Sequence, residues 1–96
     1  MAPRWERSSG KHGVERADQI YAILNATYVR QIEISGTEPR VMLYIGPEHS
    51  QTDRELEILV REYPVSGQEA VIFHAMQLGP KFRRYREENP NDRRTF

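Results

Sequence analysis

The stretch 68-QEAVIFHAMQLGPKFRRY-85 decides how the rest of the chain is arranged. Its first half, Gln68–Met76, is the most apolar run in the sequence. Such a run reads as a strand covered on both faces, and so internal to a sheet. Gly79-Pro80 then ends the strand and opens a helix, since proline is favoured in a first turn where its missing N–H is not needed. Phe82 and Tyr85 are spaced to pack on the sheet. Asn89-Pro90 stops the helix, because the residue before a proline disfavours the helical region.

Further elements follow from working outward. Pro64-Val65-Ser66-Gly67 is a turn. Before it, Glu55–Tyr63 alternates: Leu56, Ile58 and Val60 face one way, Glu55, Glu57 and Arg61 the other. Leu59 interrupts the alternation, so the second face is not wholly wet. The polar segment 48-EHSQTD-53 is a hairpin loop, and Val41–Ile45 before it is a strand closed by Gly46-Pro47. Thr27–Ser35 is rich in β-branched residues and predicts another strand, separated from the next by a turn over Gly36-Thr37-Glu38-Pro39. Ala17, Ile20, Tyr21 and Leu24 follow the i, i+3, i+4, i+7 rule and predict an amphipathic helix over Glu15–Ala26. Residues 1–10 read as a loose, flexible arm in which Arg4–Arg7 is a candidate short strand, and residues 90–96 as a flexible tail. The expected architecture is α+β: an N-terminal helix, a four-stranded antiparallel sheet with one face covered, and a C-terminal helix, all within a single domain over 11–89.

Composition narrows the function. The chain has 96 residues, enough for one domain with a small core. It has no cysteine, which removes disulfides and thiolate metal sites and is compatible with the cytosol. No run of about 18 apolar residues occurs, so no membrane-spanning helix is expected. The N-terminal residues lack the apolar centre of a signal peptide. A cytoplasmic protein is the resulting expectation. Fourteen basic residues balance fourteen acidic ones, but unevenly. Six acids lie between Glu48 and Glu69 against Arg54 and Arg61. From Met76 to Arg86 there are four cations, Lys81, Arg83, Arg84 and Arg86, and no acid. A basic segment in a neutral chain is either a solvated helix face or a local anion site.

No phosphate-binding glycine loop, nucleophile elbow or dinucleotide fingerprint is present. His12, His49 and His74 lack metal-ligand spacing, so neither a metal nor another cofactor is expected. His74 lies in phase with Ala70, Ile72 and Met76 near the end of its strand. It reads either as a hydrogen-bonded core residue or as an acid or base held by the sheet. Glu57, on the neighbouring strand, is solvent-facing unless the basic helix lies over it, in which case it partners Lys81 or an arginine. Lys81 stands in a first helical turn, against the helix dipole, a position suited to holding an anion. His12 precedes Gly13 at the entry to the first helix. Together these groups carry what RNA transesterification requires: a base for the 2′-hydroxyl, cations for the phosphate, an acid for the 5′-oxygen.

The motifs KHGV at 11–14, YIGP at 44–47, LEIL at 56–59 and IFHAMQLGPKFRRY at 72–85 resemble, in order and spacing, a compact branch of the BrnT-like toxins of type II toxin–antitoxin systems. The resemblance covers about residues 11–86. It implies a RelE-like ribonuclease fold, metal-independent RNA cleavage that inhibits translation, and an oligomer with a cognate antitoxin protein that neutralises it. His12, Glu57, His74 and Lys81 fall on the recurring polar positions and are the candidate catalytic residues. Lys11, Arg83, Arg84 and Arg86 are the candidate RNA-binding residues, with the RNA either free or on the ribosome. Better-known relatives carry an arginine after the strand's alanine, where this chain has Met76. Either His74 and the helix cations have taken over that role, or the chain is a non-catalytic module that binds RNA, a ribosome or a protein.

Overall fold

The computed structural model describes residues 3–33 and 38–90. In chain order the elements are β1 (Arg4–Trp5), a single 3₁₀ turn (Arg7–Gly10), α1 (Arg16–Leu24), β2 (Tyr28–Glu33), β3 (Arg40–Pro47), β4 (Glu55–Glu62), β5 (Val71–Gln77) and α2 (Pro80–Glu88). The expected strand end at Ile34 and Ser35, the Gly36-Thr37 half of the following turn, and residues 91–96 of the tail lie outside the described residues.

The class is α+β, but the sheet is mixed and has five strands rather than four antiparallel ones, in the order β1-β5-β4-β3-β2. β2 through β5 pair antiparallel, and β1 lies parallel to β5 with Arg4 opposite Val71 and Trp5 opposite Ile72. The candidate short strand over Arg4–Arg7 is thus present, over Arg4–Trp5, within what otherwise reads as a loose arm. The backbone is nonetheless tied: the Arg4 N–H donates to Ala70 O at 2.8 Å and the Glu6 N–H to Ile72 O at 2.9 Å. β5 is therefore internal over its first residues, although β4 is the central strand.

Both faces of the sheet are covered, one helix to each, so the expectation of a single covered face is corrected. On one face Leu56, Ile58 and Val60 of β4 pack with Ile72, Ala75 and, from α1, Ala22. On the other, Tyr28, Leu43 and Ile45 pack with Phe82 of α2, and Leu59 joins them at the margin. The leucine that interrupts the alternation of β4 is thus part of the second core.

Helix α1 lies close to the sheet because β3 carries Gly46. A Cβ there would stand 2.2 Å from Ala22 O, well inside van der Waals contact, so no larger residue fits without moving the helix. The helix is rotated from the expected face. Its buried residues are Gln19 and Ala22, while Leu24 is 78% exposed. Gln19 is accommodated inside because its amide is saturated: Oε1 accepts from Trp5 Nε1 at 3.0 Å, and Nε2 donates to Val14 O at 3.0 Å and Ser9 O at 3.4 Å. No helix among the described residues is long and apolar enough to cross a membrane.

Candidate active site

The site lies where β4 and β5 run side by side beneath the start of α2. Register places Glu57 opposite Met76 and Leu59 opposite His74, but Val60 opposite Ile72. Phe73 is therefore an extra residue, a β-bulge. The bulge breaks the strict alternation on which the sequence reading depends. His74 does not share a face with Ile72; it turns to the face of Glu57 and Leu59, away from α1.

On that face His74 Nε2 lies 2.8 Å from Glu57 Oε2. The other oxygen of Glu57, Oε1, accepts the Gly79 N–H at 2.8 Å. The Glu57 side chain is 5% exposed and that of His74 25%. A carboxylate this deep needs partners for both oxygens, and it has them. An ionised carboxylate can only accept, so Nε2 of His74 carries a hydrogen, and in the neutral ring Nδ1 is the acceptor. The carboxylate also sits at the N-terminus of α2, where the helix dipole favours negative charge. Glu57 is thus covered by α2, as the conditional reading required, but its partners are His74 and Gly79, not Lys81.

His12 arrives from the segment between the 3₁₀ turn and α1. Gly13 behind it has φ +72°, a backbone setting that glycine adopts without strain and that bends the chain into the helix. The exposed His12 ring meets His74 edge to face, with centroids 5.7 Å apart and planes at 76°. Three residues far apart in sequence, His12, Glu57 and His74, are thereby brought together.

The cations are arranged differently. Arg86 is bound to Glu55 through both terminal nitrogens, at 2.8 and 3.1 Å. Lys81, Arg83 and Arg84 are exposed on α2, with Lys81 Nζ 5.2 Å from the centre of the Phe82 ring. Among the described residues, no hydrogen bond or ion pair joins Lys81, Arg83 or Arg84 to Glu57 or His74. Lys11 is exposed next to His12. On the α1 side of His12 lies a hollow of about 330 Å³ edged by Glu15, Asp18 and Glu48. Of these three carboxylates, Glu48 is paired with Arg54 at 3.2 Å. His49 is elsewhere, in the β3–β4 loop, where Nδ1 accepts the Gln51 N–H at 3.2 Å. Among the described residues no three histidine, aspartate or glutamate side chains converge as metal ligands would.

Sequence reading missed the residues that hold β5 at the bulge. Ser8 Oγ donates to Phe73 O at 2.5 Å. The Arg61 guanidinium lies 4.2 Å from the centre of the Phe73 ring and is paired with Glu6. Ser8 and Phe73 are separated by 65 positions, and nothing local in either segment signals the contact.

Comparison with family models, with curated proteins and with solved structures finds no match to this chain.

Proposed function

We propose that the chain is a metal-independent ribonuclease, acting as the toxin of a toxin–antitoxin pair, with His74 and His12 as its acid–base groups. The observation that carries the reading is the buried Glu57 carboxylate on His74 Nε2, with a second imidazole against the same ring and open to solvent. Nδ1 of His74 takes the proton of the 2′-hydroxyl, and the oxygen so freed attacks phosphorus. Glu57 stabilises the imidazolium that forms, through the hydrogen bond already in place. The bond from phosphorus to the 5′-oxygen breaks, and protonated His12 supplies the proton that oxygen needs. The products are a 2′,3′-cyclic phosphate and a 5′-hydroxyl. Lys81, Arg83 and Arg84 supply positive charge along the path of the RNA backbone, and Lys11 adds to it beside His12. An antitoxin covering this basic face would neutralise the enzyme, with opposite charge speeding the encounter.

The test is incubation of the purified chain with naked and with ribosome-bound RNA, with chelator present, followed by analysis of the new ends. Cyclic phosphate ends that disappear in His74→Ala are the expected result, together with growth arrest on induced expression that a neighbouring gene relieves. RNA left intact in both forms would sink the enzyme reading. It would favour a binding module of the same fold.

A further inference from the structure

We infer that residues 4–12 are a working part of the site, with Ser8 as the positioning residue that keeps His74 on the face of Glu57. Successive carbonyls of a regular strand point to opposite edges. In β5, two consecutive ones, Ile72 O and Phe73 O, point to the same edge, and the N-terminal segment meets both. The Glu6 N–H binds Ile72 O and Ser8 Oγ binds Phe73 O. Arg61, anchored by Glu6, stacks on the Phe73 ring. The extra residue is therefore gripped by its carbonyl and by its ring. That grip fixes the bulge, and the bulge turns His74 toward Glu57. If Phe73 took a regular place in the ladder, His74 would slip by one position and its side chain would move to the α1 face. The same segment, continuing past the 3₁₀ turn, delivers His12 to the His74 ring. One stretch of about nine residues thus sets the position of both imidazoles.

The chemistry that follows from this rests on the ribonuclease reading; the geometry does not, and the two are tested separately. Nuclear magnetic resonance of the intact chain reads the hydrogen-bonded His74 Nε2–H and the proximity of the His12 and His74 rings, with no substrate. Ser8→Ala is expected to weaken both signals by half or more, and Ser8→Thr, which keeps the hydroxyl, to restore them. Arg61→Met, which removes the stacking on Phe73, is expected to act in the same direction. Glu38→Gln serves as a control: it loosens the β4–β5 turn, where Glu38 accepts the Val65 and Ser66 N–H groups at 3.0 and 3.1 Å, and should leave both signals unchanged. In the kinetic arm, Ser8→Ala should lower kcat about tenfold with KM little changed, as misplacement of an acid–base group does. Ser8→Ala and Arg61→Met chains that both retain the two signals would overturn the inference. Loss of the signals in variants of a chain that cleaves no RNA even as wild type would uphold it and overturn the ribonuclease reading instead.

Discussion

Glu57 has two tasks. One oxygen fixes His74 and the other accepts the N–H of Gly79, the residue that caps the start of α2. Glu57→Ala should therefore cost about 1.5–3 kcal/mol of stability, the range for hydrogen bonds to a charged group, measured as a lower urea midpoint. An unchanged midpoint would mean the carboxylate contributes nothing to the fold. On the ribonuclease reading proposed above, His74→Ala removes the proposed acid–base group and should lower RNA cleavage by about 10²–10⁴-fold. Single replacements of Arg83 or Arg84 should cost less, because each leaves the other in place; equal losses would make His74 one charge among several. Tyr44 offers a test at high pH. Its phenol is held above its ordinary value by burial first and by its hydrogen bond to Glu62, at 2.6 Å, second. The folded chain thus keeps the proton that the unfolded chain releases near pH 10. The contribution is full below that pH and is lost as pH rises above it. Stability measured from pH 9 to 11.5 should fall in wild type and fall less steeply in Tyr44→Phe; identical slopes would remove Tyr44 from the balance.

The elements were legible in the sequence where periodicity was long and uninterrupted. β4, with Leu56, Ile58 and Val60 on one side, ends within a residue of its expected limit. α2 starts at the proline and stops before Asn89, as expected from the turn chemistry at its two ends. The errors arose where one residue changed the phase or the contact was remote. At β5 the alternation that put His74 with Ile72 was broken by Phe73, which no composition or period reveals. In α1 the buried position went to Gln19, because its three hydrogen bonds cross to Trp5, Ser9 and Val14. The candidate groups, two histidines and a glutamate, were named from the sequence as one set, but the bulge that turns His74 to the face of Glu57 was not readable. β3 was underestimated because Gly46-Pro47 resembles a stop. The pairing in fact runs on through Pro47, opposite Glu55, and the glycine serves the helix above it. Gly46→Ala should therefore be destabilising by about 1–3 kcal/mol, the usual cost of overfilling a packed contact, because its Cβ meets backbone rather than a side chain that can turn away. A urea midpoint equal to that of wild type would show that α1 moves outward without cost.

At the scale of the whole molecule, neutrality conceals a separation of charge, and on the ribonuclease reading proposed above that separation sets where RNA would lie. Three carboxylates edge the hollow on the α1 side of His12, one of them, Glu48, paired with Arg54, and four cations follow Met76 on the α2 side. Arg86 is already bound by Glu55, so it stabilises the fold and has little charge to offer a phosphate. Arg83 and Arg84 are exposed and have no ion-pair partner among the described residues. These two are thus expected to carry the salt dependence of binding. For single-stranded RNA each phosphate contact contributes about 0.7 to the slope of log affinity against log salt. The double substitution Arg83→Gln with Arg84→Gln should reduce that slope by about 1.4, while leaving the urea midpoint near that of wild type. Arg86→Gln should do the reverse, lowering the midpoint by unpairing Glu55 and changing the slope little. Binding is best measured with His74→Ala as the background, so that cleavage does not deplete the RNA. A slope unaffected by the double substitution would place the RNA away from α2. The anion path would then have to run past Lys11 and the N-terminal segment.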